Sequence, residues 1–283
     1  MTLLITGANG KVSSALLRNV PDTADVRVLV RDKAKAPHAP GVQVAVGDLD
    51  HPETLDDAFV GVDTLWLLTA TGPQAPHASM NALWAARKAG VRHVVRLSAI
   101  GAGHDAPTRN GRLHGLSDAE LMASGIGWTI IRPHYFMQNL LGSVRGTTLY
   151  GVLGDGRLGF IDVRDIAEFG ARVLTDPARH AGKVYTLTGP ASLSLHEAAV
   201  TLGPVLGEAI SYQPMGEQEA YRAMVGAGRP EWVAAVNVEY GRAFAGGWGD
   251  FTTTDFPEVM GRQARSFAGF ARDNAAHLRA GSR

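Results

Sequence analysis

A doubly wound α/β fold, built on a parallel sheet and carrying a small, mostly helical carboxy-terminal lobe, is what this sequence predicts. Three observations lead there. An apolar strand near the start, Leu3-Leu4-Ile5, runs straight into a glycine turn and then a helix. Short apolar runs then alternate with helical segments as far as Ile131, the pattern of stacked βαβ units. The run over 62–68 is almost wholly apolar, as suits a parallel strand covered on both faces.

The turn reads Thr6-Gly7-Ala8-Asn9-Gly10-Lys11-Val12 and opens a helix over 12–17. Such a turn presents backbone N–H groups to a phosphate, and the helix start adds its positive dipole end. Gly7 permits the tight bend, and Gly10 leaves room for a pyrophosphate to approach the main chain. Ser13 stands where a third glycine is usual, so its hydroxyl either loosens cofactor binding or adds a hydrogen bond near the phosphates. A second strand over 26–30 ends at Arg31-Asp32-Lys33. A carboxylate there suits an adenosine ribose, whereas an arginine suits a 2′-phosphate. Arg31, with Lys33 or Lys35, favours NADP(H); Asp32 keeps NAD(H) in play.

A third strand over 42–46 ends at Gly47-Asp48-Leu49, and a short helix over 52–59 follows. The strand over 62–68 leads to a helix over 76–89 that Gly90 stops. A fifth strand over 93–97 ends at Ser98, a helix covers 112–123, and a sixth strand over 128–131 halts at Arg132-Pro133. After Tyr150 the rhythm changes: a helix follows Asp162 and Asp165, which read as capping groups, and a late strand covers 183–187. From Ser194 helices dominate. The expected division is a nucleotide-binding domain over 1–150 and a mixed region over 151–283. That region returns to the sheet over about 160–190 and forms a substrate lobe over about 191–283 that walls a cleft beyond the strand ends. Tyr221, Trp232 and Trp248 are candidate walls for a flat aromatic ligand.

Composition narrows the classes. With 283 residues, 45% hydrophobic and 19% charged, the chain is long enough for a substantial core. Twenty-seven basic residues balance 27 acidic ones, so no long-range field draws it to nucleic acid or anionic membrane. The absence of cysteine excludes disulfides, thiolate metal sites and a cysteine nucleophile. No apolar run approaches the roughly 20 residues that span a bilayer. The histidines show no metal-ligand spacing, and the first strand starts too early for a targeting peptide, so a cytoplasmic monomer or homodimer is expected.

Several segments together resemble the NmrA-like branch of the atypical short-chain dehydrogenases/reductases. They are Ile5-Thr6-Gly7-Ala8-Asn9-Gly10-Lys11-Val12, Val28-Leu29-Val30-Arg31-Asp32, Gly47-Asp48-Leu49 and Val95-Arg96-Leu97-Ser98-Ala99-Ile100-Gly101-Ala102. Further on come Ser124-Gly125-Ile126-Gly127-Trp128-Thr129-Ile130-Ile131-Arg132-Pro133 with Phe136 and Asn139, then Phe160-Ile161-Asp162-Val163-Arg164-Asp165-Ile166-Ala167 and Leu187-Thr188-Gly189-Pro190. The resemblance implies a Rossmann-type fold that binds NADP(H) or NAD(H). Members of that branch reduce quinones, azo dyes and triphenylmethane dyes, or serve as redox-sensing regulators. Carried over residue by residue, Gly7, Asn9, Gly10, Lys11 and Val12 would hold the pyrophosphate, and Arg31 the 2′-phosphate. Asp48 and Leu49 would meet the adenine, and Thr69, Ala70 and Ser98 the nicotinamide side.

The departure lies in the chemistry. Standard superfamily enzymes carry Tyr-x-x-x-Lys on the helix after the fifth strand, where lysine lowers the tyrosine pKa. Here Asn110 stands in the tyrosine position and His114 in the lysine position. His114 titrates near neutral pH when unperturbed and is a candidate to hold the nicotinamide ribose or donate a proton. Asp118, one turn on, would orient the ring. Ser98 and Tyr135 are further candidate catalytic donors. Hydride transfer to a conjugated acceptor needs no protein acid, since delocalisation stabilises the oxyanion. The expected function is an NAD(P)H-dependent reductase of a planar, electron-poor small molecule (quinone, azo or polycyclic). A non-catalytic NAD(P)-sensing regulator and a non-redox isomerase or cyclase are the alternatives.

Overall fold

A computed structural model of the chain describes residues 1–21 and 23–279. The opening elements alternate as expected: β1 (Thr2–Ile5), α1 (Lys11–Leu17), β2 (Asp25–Val30), β3 (Gln43–Val46), α2 (Asp56–Phe59), β4 (Thr64–Leu67), α3 (Ala75–Ala89), β5 (His93–Leu97), α4 (Arg109–Ala123) and β6 (Gly127–Pro133). Three short strands follow: β7 (Val144–Arg145), β8 (Thr148–Gly151) and β9 (Arg157–Leu158). Then come α5 (Val163–Thr175), β10 (Lys183–Leu187), β11 (Leu193–Ser194), α6 (Leu195–Leu206) and β12 (Ser211–Pro214). The last elements are α7 (Glu217–Gly226), α8 (Glu231–Ala245), α9 (Asp255–Met260), α10 (Phe267–Asp273) and α11 (Ala275–Leu278).

A seven-stranded sheet orders its strands β10-β6-β5-β4-β1-β2-β3, and the pairings among β1 to β6 are parallel. Strand order reverses beside β1, so the β1 turn lies at the switch point where ligands of such sheets bind. Side-chain alternation divides the strands between two faces. On one face Leu4, Leu29, Leu65, Val94 and Ile130 pack with Phe59 of α2, Ala82 and Ala86 of α3 and Leu121 of α4. On the other, the Trp66 indole donates to Ser13 of α1 at 3.0 Å and lies tight against Gly170 of α5. Both faces are therefore covered by helices, and β4 and β5 are buried throughout. Helix α3 ends as its sequence dictates, with Arg87 and Lys88 in the last turn and Gly90 left-handed at φ +78°.

Two compact units emerge, and they interleave along the chain instead of meeting at one boundary near residue 150. The first comprises 1–106, 110–132 and 166–185; the second comprises 107–109, 133–165 and 186–283. Residues 144–151 belong to the second unit because β8 pairs antiparallel with β7 and parallel with β12. The second unit has its own core, in which Leu149, Phe160, Leu195, Leu202, Phe244 and Phe270 are buried together. Its α6 opens with a capping box, Ser194 with Glu197. The run 211–214, expected within a helical region, is the strand β12: Tyr212 points inward and Pro214 closes it. Among the described residues no helix is long and apolar enough to cross a membrane, and no group of three or more acidic or histidine side chains could hold a metal ion.

Candidate functional site

The turn after β1 is tight and leaves no room for a side chain at either of its glycines. Gly7 is left-handed at φ +62°, and a Cβ there would meet Leu68 at 3.2 Å. The Gly10 amide donates to the Gly7 carbonyl at 2.8 Å, and a Cβ on Gly10 would lie 3.1 Å from that oxygen. Gly10 caps α1 with no side-chain hydrogen bond. Val12 is buried and offers only its amide, whereas Lys11 is exposed. Ser13, in the place of the usual third glycine, has its hydroxyl engaged within the protein. Its hydroxyl donates to the Thr6 carbonyl at 3.0 Å and accepts from the Trp66 indole, so it braces α1 on the sheet.

The Asn9 amide donates to the Lys35 carbonyl at 2.8 Å and ties the glycine turn to the loop after β2. In that loop Asp32 accepts from the Ala34 amide at 3.0 Å and pairs with Lys35 at 3.8 Å. Arg31 is exposed and has no ion-pair partner among the described residues. Asp48 forms a local turn, accepting from the Asp50 amide at 3.1 Å, while its own amide donates to Thr54 at 2.9 Å. The carbonyl of Leu49 accepts from Asn81 of α3, and its half-buried side chain packs on the core. Thr69 is buried and Ala70 exposed just past the carboxyl end of β4.

Past the carboxyl end of β5 the first unit holds a buried polar network. Arg96 is 1% exposed; its Nε donates to Asp118 Oδ1 at 2.9 Å, and one terminal nitrogen reaches Ser79 Oγ at 3.2 Å. The other terminal nitrogen faces His114 Nδ1 at 3.4 Å. Asp118 Oδ2 accepts from Ser98 Oγ at 2.8 Å and from Arg132 at 2.9 and 3.1 Å. Asp118 therefore neutralises two arginines and does not orient His114 as expected. Burial, then the Arg96 and Arg132 charges, push the His114 pKa down to about 3. A ring held neutral in this way is disfavoured as a general acid near pH 7.

The chain matches the NAD(P)H-binding family over residues 7–177. The chain belongs to that family. It is similar to an NAD(P)H azoreductase of Xenophilus azovorans, 37% identical over 97% of this chain and 98% of the relative. It is also similar to quinone oxidoreductase 2 of Escherichia coli, 31% identical over 82% of this chain and 84% of that protein. The solved NADPH complex of the Escherichia coli quinone oxidoreductase superposes with a TM-score of 0.84, at 26% identity over 96% and 99% of the two chains.

The remaining candidates of this NAD(P)H-binding chain lie as follows. Tyr135 lies in the second unit, where its ring meets Phe160 and Phe244 edge-on at 5.6 and 6.1 Å. Burial raises its pKa to about 12, which opposes any role as a phenolate. Trp248 leans on Phe244 at 5.5 Å and on Tyr240 at 6.4 Å, whereas Tyr221 and Trp232 are half-buried on α7 and α8. Asp162 caps α5 as expected, accepting from the Arg164 amide at 2.9 Å, but Asp165 instead binds Arg262 and Arg265. A depression of about 350 Å³ is lined by Arg92 and Gly127 at the amino-terminal ends of β5 and β6. It lies at the opposite end of the parallel strands from the glycine turn after β1.

Sequence reasoning passed over Arg96 and Arg132. The signal for Arg96 is present: one charged residue inside the buried run His93-Val94-Val95-Arg96-Leu97 needs a counter-ion, and Asp118 on the next helix is the buried acid that supplies it.

Proposed function

We propose that this chain is an NADPH-preferring reductase of planar, electron-poor acceptors such as quinones and azo compounds. The observation that carries the reading is the inward face of α4. Asn110, His114 and Asp118 replace a proton relay with a neutral ring and a fully engaged carboxylate. A simple ketone needs a proton delivered as hydride arrives, whereas a quinone or azo acceptor spreads the new charge over its own π system and takes its proton from water. The named activities of the azoreductase and quinone oxidoreductase relatives support the same acceptor class.

The residues present fit the cofactor. At Gly7 and Gly10 a side chain would collide with Leu68 and the Gly7 carbonyl, so glycine keeps the turn tight, and a helix start with no side-chain cap suits an anionic pyrophosphate. Asn9 braces the loop that carries Arg31, whose exposed guanidinium suits a 2′-phosphate, while Asp32 is occupied within its own turn. Lys11 and Val12 complete the pyrophosphate contacts, Asp48 and Leu49 the adenine side, and Thr69, Ala70 and Ser98 the nicotinamide side. The reduced nicotinamide, when bound, supplies hydride. The protein orients it and keeps the neighbouring arginines compensated by Asp118.

The test is a panel of a quinone, an azo dye and a simple ketone, each offered with NADPH and with NADH. Consumption of NADPH with the first two, product mass raised by two hydrogens for the quinone, and no turnover of the ketone are expected. Turnover of the ketone at a comparable rate would show that an acid is present after all. Tight nucleotide binding with no turnover of any acceptor would point to a sensing protein.

A further inference from the structure

We propose that His114 is a hydrogen-bonding rather than proton-transferring residue of the nicotinamide site, its ring proton fixed on Nε2 by Arg96, which acts as a positioning residue. The inference rests on the reading above for the location of that site and goes beyond it in the state and role of one ring.

The geometry begins with the guanidinium. Arginine has donors and no acceptor, so the nitrogen of Arg96 that faces His114 Nδ1 at 3.4 Å can meet only an unprotonated ring nitrogen. The ring's single proton is then on Nε2. Arg96 cannot swing away to relax this preference. Its Nε is bound to Asp118, another nitrogen reaches Ser79, and the side chain is buried in β5. Arg132 of β6 adds a second positive charge on the same carboxylate. Asp118 and Glu120 of α4 carry the opposing charges, and Asp118 has both oxygens engaged. A second proton on the ring would face two guanidinium groups, and burial disfavours it further.

Position follows from the same contacts. Ser98 is the first residue beyond β5, and its hydroxyl donates to Asp118 at 2.8 Å. His114 is about one helical turn nearer the amino terminus of α4 than Asp118, about 6 Å along an axis that runs against the strands. The imidazole is therefore carried past the carboxyl edge of the sheet, where dinucleotides of this fold lie. Its Nδ1 looks back to Arg96, and Nε2, on the far side of the ring, is the nitrogen left to meet a ligand. No described side chain or carbonyl pairs with Nε2. A neutral donor there can hold a ribose hydroxyl or a developing oxyanion at any pH that the fold survives.

The experiment is long-range proton–nitrogen NMR of the full chain labelled with ¹⁵N, recorded from pH 5 to pH 8 with and without saturating NADP⁺. The His114→Gln spectrum assigns the ring. The expected result is a protonated Nε2, a bare Nδ1, no titration across the range, and movement of the Nε2–H signal on adding nucleotide. Arg96→Gln, or the less buried Arg132→Gln should the first not fold, is expected to bring His114 into titration above pH 5. The His93 and His134 signals report whether each variant remains folded. His114→Ala is expected to lose about tenfold or more in kcat with a quinone, and His114→Gln to recover part of that loss, since its amide nitrogen reaches the place of Nε2.

A proton on Nδ1, titration of the wild-type ring in this range, or an Nε2–H signal indifferent to bound nucleotide overturns the proposal, as does full activity of His114→Ala. A ring that responds to NADP⁺ in a protein that reduces no acceptor sinks the reductase reading and leaves this inference standing. Reduction of a quinone with an unresponsive ring does the reverse.

Discussion

Two regions of the first unit handle their hydrogen-bonding groups in opposite ways. The turn between β1 and α1, with Arg31 beyond β2, is lightly engaged: no side chain caps the helix start, and the guanidinium has no ion-pair partner among the described residues. The network around Asp118 leaves almost nothing open, since one carboxylate serves two arginines and a serine while Arg96 also reaches Ser79 and His114. Open donors are what a transient anion needs. Closed networks preset charge and tautomer before any ligand arrives. The difference predicts that substitutions in the turn should cost binding, and substitutions in the network should cost the fold.

The sharpest break of that contrast is Asp118→Ala. It strands Arg96 as a buried charge and leaves Arg132 and Ser98 without their acceptor, so the loss of stability should be about 3–5 kcal/mol. Urea denaturation read by tryptophan fluorescence measures it. A loss below about 1 kcal/mol would mean that water replaces the carboxylate and that the network is not closed.

Acid should act on closed sites as mutation does. His93 Nε2 lies 2.9 Å from Thr129 Oγ1, whose own proton goes to the His180 carbonyl at 2.8 Å. His134 accepts from the Tyr135 amide at 2.7 Å through Nδ1 and reaches the Gly249 carbonyl at 3.0 Å through Nε2. Burial pushes both pKa values down to about 4, from about 6.5 in the unfolded chain. Between those values the unfolded state binds more protons. The stability these rings supply is therefore complete above pH 6.5 and drains away as pH falls toward 4. At pH 5 each ring should have withdrawn roughly 1–2 kcal/mol, visible as a falling urea midpoint between pH 7 and pH 5. A flat midpoint across that interval would show that the rings open to solvent without unfolding.

What could be read from the sequence follows the same division. The glycine turn is legible because its function is a local backbone shape, and Gly7, Asn9 and Gly10 fall within four consecutive residues. The parallel strands are legible from their apolar runs. The Asp118 network is not, since Arg96, Ser98, His114, Asp118 and Arg132 come from two strands, a loop and a helix, and only packing decides which partner wins. The spacing of His114 and Asp118 suggests a pair; three-dimensional competition from Arg96 and Arg132 dissolves it. The small sheet of β7, β8 and β12 escaped for a related reason, because Ser211-Tyr212-Gln213-Pro214 is too short to show a period and pairs with a strand some sixty residues earlier.

Ser13 belongs to the closed group although it sits beside the open turn, and restoring the usual glycine separates the two. Ser13→Gly removes the acceptor for the buried Trp66 indole and adds backbone freedom inside α1. Stability should fall by about 1–3 kcal/mol. Affinity for NADPH should stay within about threefold by fluorescence titration, since the hydroxyl faces Thr6 and Trp66. A tenfold change in affinity with unchanged stability would place the hydroxyl among the phosphate contacts instead.

The change with the smallest expected cost to the fold tests the open side alone. Arg31→Ala should leave the denaturation midpoint unchanged, because the side chain is exposed and has no ion-pair partner among the described residues. Loss of one charge-assisted contact to a 2′-phosphate is about 1.5–3 kcal/mol, so NADPH affinity should drop roughly ten- to a hundredfold. NADH affinity should not move, as that nucleotide carries a hydroxyl where NADPH carries the phosphate. Raising the salt from 50 to 300 mM should weaken NADPH binding to the wild type more than to the variant, because screening acts on the charge that the variant lacks. Equal losses for both nucleotides would mean that Arg31 shapes the loop tied to Asn9 instead of reading the phosphate. The preference would then rest on Lys33, whose ammonium is a point charge without the planar fork of arginine.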